Sequence, residues 1–291
     1  MNDVIRTTLY TDPGCPWAYS AIPALRVLEW RYGSQLDWRL VLIGLTESSE
    51  QYVARGYTPV RGALGQLRFR RFGMPFSPSP KPRVSATARA CRAIVAARLQ
   101  SPGSEWAALR ALQLANFTSP LVLEDDASLA EVLSRVGLDG AAIVAALDSA
   151  EVTEAYERDR AETRSAHGSP AEFQGKTATS DGPVRFTAPS VVFERNGARL
   201  VAGGWQPVEA YDVLVANIDP TLERQAPPET PEPLLKQFAG GLTTQEVTLL
   251  MTRGNDAPDR PATEAALIEL VGAGRARREP LGDDALWLPA A

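Results

Sequence analysis

The sequence TDPGCPWAYS, Thr11–Ser20, joins a short apolar strand to a long helix and places one cysteine at the junction. The strand is predicted at Thr7–Tyr10, and the Asp-Pro-Gly turn of residues 12–14 ends it. Pro16 suits the first turn of a helix, because it has no N–H group to leave unpaired. The free N–H groups and the dipole at a helix start stabilise an anion, so we expect a thiol pKa below its ordinary value at Cys15. The alternative is that Cys15 is a small buried hydrophobic residue.

A β-α-β unit follows from this junction. Apolar residues at three- and four-residue spacing predict a helix over Pro16–Arg31, and Gly33 ends it. The stretch Leu36–Leu45 is apolar on both faces, which is typical of a buried strand. Two strands joined by a helix are expected to be parallel, with a right-handed crossover.

The chain then becomes helical before the sheet resumes. Ala- and Leu-rich segments separated by Gly, Pro or Asp predict helices from about residue 50 to residue 166. Ser190–Glu194 is the next predicted strand, and Asn196-Gly197 predicts a tight hairpin into a return strand at Arg199–Ala202. A closing helix is predicted over Pro207–Ile218. The fold class is therefore α/β, with a long helical insertion at about 50–166.

The C-terminal part of the sequence predicts a linker followed by a second, smaller domain. Asp219–Pro233 is rich in proline and predicts a stiff linker. Beyond it, three predicted helices precede a hairpin near Gly282, and Thr243 with Glu246 forms a capping box at the start of the second helix. This order is typical of a winged-helix domain. The predicted division is a main domain over 1–220, a linker over 221–231 and a winged-helix-like domain over 232–291.

The composition of the chain argues against several classes of function. The net charge of −5 argues against general binding of nucleic acid or anionic membranes. The N-terminus lacks an apolar signal core, and no apolar run approaches the roughly 20 residues that span a bilayer, so we expect a cytoplasmic protein. Cys15 and Cys91 are the only cysteines and His167 is the only histidine. These counts argue against a disulfide framework and against a metal site built from Cys or His clusters.

Three motifs in this order resemble the DsbA-like branch of the thioredoxin superfamily. They are Cys15-Pro16-Trp17, the TAPS segment Thr187–Ser190 and the GGWQP segment Gly203–Pro207. The resemblance extends over roughly Thr7–Ile218. The members of this branch that the sequence resembles include FrnE-like proteins, hydroxychromene-carboxylate-isomerase-like proteins and mycothiol-dependent nitroreductases. The resemblance implies a thioredoxin-like fold, and a cis-proline at Pro189 that faces the thiol.

The resemblance also implies a set of site residues. Cys15 would be the nucleophile, and its neighbours would shape a slot for a small thiol or a disulfide substrate. The catalytic set is Cys15, Pro16, Trp17 and Pro189, and the thiol-binding set is Asp12, Thr187, Ala188, Gly204 and Trp205. No tightly bound cofactor is expected; glutathione or mycothiol is the implied co-substrate.

The second cysteine of the family motif is replaced by Ala18. A dithiol enzyme resolves its mixed disulfide with that second thiol, so we expect Cys15 to act as a monothiol that a small thiol resolves. Cys91 is the other candidate for the resolving role, although its helical context favours a packing role. Two further readings stay open: an isomerase or transferase that uses a bound thiol as cofactor, and a degenerate domain that acts as a binding or regulatory module.

Residues 52–103 contain no acidic residue and ten basic ones. In the family this region begins the lid over the thiol, so a basic lid would attract an anionic thiol and lower the thiol pKa. The alternative is that these charges pair with the acidic run Glu124–Glu172. Aromatic residues here, Phe69 and Phe72 among them, suggest an apolar wall beside the site.

The C-terminal segment has more acidic than basic residues, and its third helix carries Glu264 and Glu269 but no basic residue. Phosphate and base-edge contacts need the opposite charge, so we expect no nucleic-acid partner. A docking or dimerising role, and with it a homo-oligomer, is the interpretation left open.

Overall fold

The structure, a computed structural model, describes residues 4–290. The ends of the two predicted domains, residues 1–3 and 291, lie outside this range. The strands are β1 (Ile5–Thr11), β2 (Leu36–Leu42), β3 (Thr177–Ala178), β4 (Arg185–Phe186), β5 (Ser190–Arg195), β6 (Ala198–Gly203), β7 (Leu242–Thr243), β8 (Ala276–Leu281) and β9 (Asp284–Pro289). The helices are α1 (Pro16–Tyr32), α2 (Ser49–Ala54), α3 (Pro59–Phe69), α4 (Ala88–Gln100), α5 (Ser104–Thr118), α6 (Asp126–Arg135), α7 (Gly140–Ala145), α8 (Ala150–Thr163), α9 (Pro170–Phe173), α10 (Val208–Ile218), α11 (Glu232–Gln237), α12 (Thr244–Met251) and α13 (Arg260–Gly272).

The central sheet has the strand order β2-β1-β5-β6. β1 and β2 are parallel, with Leu9 opposite Leu40, and α1 provides the crossover between them, as predicted. β5 runs antiparallel to both β1 and β6. The β5–β6 turn has φ values of 51° at Asn196 and 83° at Gly197, which is the backbone that an Asn-Gly hairpin requires. The predicted hairpin is confirmed.

The helical insertion is also confirmed, and it packs on the sheet through α4, α5 and α8. The many alanines of α4, among them Ala93 and Ala97, are fully buried, because small side chains let neighbouring helices approach closely. Several short elements were not predicted, namely β3, β4, α9 and β7. Of these, β3 and β4 form a two-residue antiparallel ladder just before Pro189. A ladder of two residues is too short to show the period of a strand in the sequence.

The C-terminal segment contains three helices and a three-stranded sheet of order β7-β9-β8. The capping box is present, since the Thr243 hydroxyl accepts from the Glu246 N–H and the Glu246 carboxylate accepts from the Thr243 N–H. The turn between β8 and β9 lies at Gly282, as predicted. The helix and hairpin order is the one from which the winged helix was predicted; that designation stays a prediction.

This segment packs directly on α1. Val27 and Trp30 of α1 share an apolar cluster with Leu250 and Trp287. The proline-rich residues that lead to it are also attached to α1, because Trp30 Nε1 donates to the Ala226 carbonyl at 2.9 Å. No helix within residues 4–290 is long and apolar enough to cross a membrane.

Candidate active site

Cys15 lies where β1 ends and α1 begins, at the N-cap position of the helix. Its backbone N–H donates to the Asp12 carbonyl at 3.2 Å, which closes the turn of residues 12–14. Its thiol donates to the Ala188 carbonyl, with 3.1 Å between Sγ and O. The Ala188–Pro189 peptide bond is cis. Residues 173 positions apart in the chain therefore meet at one sulfur.

The expectation of a lowered thiol pKa is wrong for this structure. Cys15 is 6% exposed, and burial raises the pKa of its thiol to about 12. The backbone N–H groups of Ala18 and Trp17 act in the expected direction and lower the pKa, but the desolvation exceeds their effect. The carboxylate of Asp12 raises the pKa further. The resting site therefore holds a protonated thiol.

Asp12 fixes the loop that carries Cys15. Its fully buried carboxylate accepts from the N–H groups of Gly14 at 2.8 Å and Leu45 at 2.9 Å, and from the Thr87 hydroxyl at 2.9 Å. Burial raises the pKa of Asp12, while these hydrogen bonds lower it. Asp12 thus ties the loop after β2 and the start of α4 to the strand end beneath the thiol, which is a positioning role rather than a substrate contact.

Trp17 is part of an aromatic wall beside the thiol. Its ring is 41% exposed and lies 4.9 Å from the ring of Phe69 and 5.6 Å from that of Phe72. Phe72 lies 4.8 Å from Trp205, whose indole N–H donates to the Ser20 carbonyl. The predicted apolar wall is therefore present, and it brings two of the predicted site residues, Trp17 and Trp205, to one surface.

The C-terminal hairpin holds this wall in place. Asp283 accepts from Arg70 Nε at 2.7 Å and from the Phe76 N–H at 2.8 Å, and its own N–H donates to the Phe76 carbonyl at 3.0 Å. Gly282 at this turn has φ of 58°, and a Cβ there would approach the Phe76 carbonyl oxygen to 2.8 Å. The segment that carries Phe72 is thus clamped between α1 and the β8–β9 turn.

The other predicted residues support the backbone near the thiol. Pro16 is the first residue of α1. The Thr187 hydroxyl donates to the Lys176 carbonyl at 2.9 Å, and the Gly204 N–H donates to the Ser190 hydroxyl at 3.3 Å. Gly204 has φ of 72°, so it needs the conformational freedom of glycine. Neither Thr187 nor Gly204 is hydrogen-bonded to the Cys15 sulfur.

Two residues near the thiol were not in the predicted catalytic or thiol-binding sets. The charge of Arg185 lowers the pKa of Cys15, and Arg185 is held by Asp181 at 3.0 Å. Tyr52 of α2 is in the same environment, because burial, and after it the charge of Asp12, raises its pKa. Both residues lie on segments that only tertiary packing brings to Cys15, so no local motif reveals them.

A polar cleft adjoins the site on the side of Leu45 and has a volume of about 500 Å³. Its lining carries both signs of charge, with Arg55 and Arg160 beside Glu47 and Asp181. Arg55 donates to the Ser180 carbonyl at 3.2 Å.

The basic residues of 52–103 divide into two groups. Those from Arg83 onward pair with acidic residues of the later part of the insertion, as Arg83 does with Glu124 and Arg98 with Asp159. For these residues the structure supports charge pairing within the insertion rather than a basic lid over the thiol. Within residues 4–290, Arg68 and Arg71 have no acidic partner, so positive charge remains at the end of α3.

Cys91 is fully buried in α4, and its sulfur lies 3.6 Å from the Asp12 carboxylate. Burial raises its pKa well above the ordinary value. Both cysteines are free thiols. In the part of the chain that the structure describes, no group of three His, Cys, Asp or Glu side chains could hold a metal ion.

Comparisons with known proteins agree with this geometry. The family model described as "DSBA-like thioredoxin domain" matches residues 7–186. A comparison with curated protein sequences finds no significant match.

Solved structures share the fold at low sequence identity. The cytosolic disulfide reductase DsbM from Pseudomonas aeruginosa is 20% identical with a TM-score of 0.51, over 73% of this chain and 98% of that one; it has also been solved with GSH. A Nitrosomonas europaea protein described as a disulfide isomerase is 18% identical with a TM-score of 0.56, over 74% and 97% of the two chains. A Streptomyces coelicolor protein of the DsbA oxidoreductase type is 17% identical with a TM-score of 0.54, over 73% and 89%.

Proposed function

The chain belongs to the family of DSBA-like thioredoxin domains, and on that premise we propose that it is a thiol-dependent oxidoreductase with a single active-site thiol. The observation that carries the proposal is the position of Cys15 at the start of α1, with its sulfur 3.1 Å from the carbonyl that precedes the cis-proline and with Ala18 where a resolving cysteine would stand. The family supports an enzyme of the thiol-oxidoreductase superfamily; the activity and its monothiol reaction are our proposal.

The proposed reaction has two exchange steps. The Cys15 thiolate attacks one sulfur of a disulfide, a new S–S bond forms to Cys15, and the other sulfur leaves as a thiolate that takes up the proton lost from Cys15. A small thiol then attacks the mixed disulfide at the sulfur of the bound group, and Cys15 leaves as a thiolate and is reprotonated. Over both steps, one half of the substrate disulfide is replaced by the small thiol. A second molecule of the small thiol can then attack this new mixed disulfide, which releases the remaining substrate thiol and leaves the disulfide of the small thiol.

Substrate binding supplies the missing activation of Cys15. At rest the thiol proton is held by the Ala188 carbonyl. A peptide-like substrate whose N–H group donates to that carbonyl would displace the thiol from it. The sulfur would then retain the N–H groups of Trp17 and Ala18, which favour the thiolate. The thiol would therefore become reactive only when the slot is occupied.

The polar cleft fits the charged ends of a peptide-like thiol. Arg160 already pairs with Glu47 at 3.2 Å, so Arg55 is the residue that could bind a carboxylate of glutathione, whereas mycothiol would use the hydroxyl and amide acceptors of the same lining. That DsbM has been solved with GSH makes glutathione the first thiol to test. We place the protein in the cytoplasm, in line with the cytosolic location of DsbM.

A second candidate is an enzyme that uses a bound thiol as cofactor, for example an isomerase. The raised pKa of Cys15 favours it, because a protonated thiol can donate a hydrogen bond to a cofactor thiolate without reacting. A third reading, a degenerate domain that binds a partner, has no specific observation in its favour.

Turnover assays on serine variants test the proposal. Disulfide reduction by glutathione or mycothiol should be lost in Cys15→Ser and retained in the matched control Cys91→Ser. Retention in both variants would contradict nucleophilic catalysis by Cys15, and loss in both would contradict the monothiol reaction, because Cys91 would then also be required. Isomerase activity that survives in Cys15→Ser would instead favour the thiol-cofactor enzyme, because a hydroxyl also donates a hydrogen bond.

A further inference from the structure

A crevice separates α1 from α5 on the face of the sheet formed by Leu9 and Trp38. Its volume is about 310 Å³, which lies at the lower end of the range for small-molecule sites. Most of the lining is apolar, with Ile22 and Leu25 of α1 facing Leu109 of α5. Cys15 and Pro189 are not among its lining residues, so it is separate from the thiol site.

Two tryptophan rings form part of this lining. Trp38 and Trp106 lie edge to face, with 6.4 Å between their centroids, and both are partly exposed. Aromatic rings at the wall of a crevice favour a flat aromatic occupant, because offset and edge contacts between rings add to the burial of apolar area.

Two N–H groups of the same lining lack hydrogen-bond partners. Trp38 Nε1 and Arg110 Nε are buried and unpartnered within residues 4–290. Buried polar groups are nearly always paired in native proteins, so the buried N–H groups of Trp38 and Arg110 in one crevice indicate a missing partner. The amide of Gln113, which is 3% exposed, lines the same crevice. All three can donate, so that partner must accept hydrogen bonds.

The charges at the crevice are already balanced. Arg110 pairs with Glu246 at 2.7 Å, and Arg26 pairs with both Glu29 and Glu246. An anionic ligand would find no uncompensated positive charge here. The acceptors are therefore carbonyl oxygens rather than a carboxylate.

We propose that the crevice between α1 and α5 binds an uncharged aromatic carbonyl compound. Its rings pack against Leu109 and the two tryptophans, and its oxygen accepts from Gln113 or Trp38. The site does not depend on the thiol reaction. It borders the active-site helix at Ala18, so a bound ligand would lie one helical turn from the residue that carries the chemistry.

Benzophenone, an aromatic ketone that crosslinks to nearby C–H bonds under light, is a direct probe, and diphenylmethane is its counterpart without the carbonyl. The full chain should bind benzophenone saturably, about tenfold more tightly than diphenylmethane, as one or two hydrogen bonds allow. Mass spectrometry should map the crosslinks to Pro16–Tyr32 and Ser104–Thr118. Equal affinity for the two compounds, absence of saturable binding, or crosslinks confined to the aromatic wall of Trp17 would overturn the proposal.

Two variants refine this test. Gln113→Leu should remove most of the preference for the ketone, and Ile22→Phe should fill the crevice and abolish binding of both compounds. Gln66→Leu is the matched control, because Gln66 Oε1 is buried without a partner but lies outside the crevice. Cys15→Ser should bind benzophenone like the wild type. If Gln113→Leu does not fold, the comparison of ketone with hydrocarbon and Ile22→Phe still decide the outcome.

Discussion

Two opposing effects act on the pKa of the Cys15 thiol. The helix N–H groups favour the thiolate, and the surrounding apolar side chains disfavour it. Because the sulfur is almost fully enclosed, burial determines the balance and the pKa rises to about 12. In the proposed reaction, such a site would react only when a substrate reorganises it.

This balance can be measured by alkylation. With a pKa of about 12 rather than the ordinary 9.0, the thiolate fraction at pH 8 is about a thousandfold smaller. N-ethylmaleimide, which has no N–H group to offer Ala188, should therefore label Cys15 in the folded protein far more slowly than in urea. The rate should rise about tenfold with each pH unit up to pH 10. A rate that levels off near pH 7 would mean that the thiolate is already formed at rest.

The order of strands and helices around Cys15 was predictable from the sequence, whereas its ionisation was not. Turn residues, a proline at the helix start and an Asn-Gly pair determine the backbone of only a few neighbouring residues, so their effect can be predicted from the local sequence. The burial of Cys15 depends instead on residues such as Phe186 and Ala188, which are distant in sequence. Arg185 and Tyr52 were not in the predicted site sets for the same reason.

At the scale of elements, the β8–β9 hairpin is hydrogen-bonded to the lid segment, which is the stretch of chain between α3 and Phe76. Asp283 replaces the water that would otherwise solvate Arg70 and the Phe76 N–H, and so orders the chain between α3 and Phe76. The aromatic wall depends on this contact, because Phe72 lies in that stretch. The C-terminal segment therefore positions a wall of the site without contributing a residue to the reaction.

Asp283→Asn should loosen the lid. Weakening the Arg70 contact costs about 1 kcal/mol, which makes the open lid about fivefold more populated. Trypsin should then cleave after Arg68 and Arg71 about fivefold faster, since proteolysis follows the open population. Asp256→Asn, in an exposed turn of the same segment, should leave the rate unchanged. Equal cleavage of both variants would show that Asp283 does not hold the lid.

At the scale of the whole molecule, one buried carboxylate joins three parts of the chain. Glu246 of α12 is fully buried and binds Arg110 of the insertion at 2.7 Å and Arg26 of α1 at 3.4 Å. Burial acts to raise its pKa, but the charge of Arg110, followed by that of Arg26, lowers it below 4.5. The stabilisation is therefore present above pH 4.5 and is lost as the pH falls through the lower, folded-state pKa.

Glu246→Gln should destabilise the protein by about 3–5 kcal/mol, because the buried guanidinium of Arg110 would lose its counter-charge and that of Arg26 would keep only Glu29. Urea unfolding at pH 7 measures this loss, and the variant should also lose less stability than the wild type between pH 5 and pH 3. Glu229→Gln removes an exposed ion pair to Arg253 and should cost less than about 0.5 kcal/mol. A loss as small as that of Glu229→Gln would mean that the three parts are not coupled through Glu246.

The remaining charges of the C-terminal segment agree with the expectation of no nucleic-acid partner. Arg275 pairs with Glu232 and Arg277 with Glu279, so the basic cluster of the hairpin is largely neutralised. The absence of DNA binding stays a prediction, as do the homo-oligomer and the winged-helix designation.

In the proposed reaction, Cys15 forms a mixed disulfide that this chain cannot resolve by itself. Intact-mass analysis after exposure to oxidised glutathione should show one glutathione adduct, mapped to Cys15, that persists until reduced glutathione is added. Ala18→Cys should release the adduct unaided and form an internal disulfide. A Cys15–Cys91 disulfide in the wild type, or a Cys15 that stays unmodified while the protein turns over, would contradict the account.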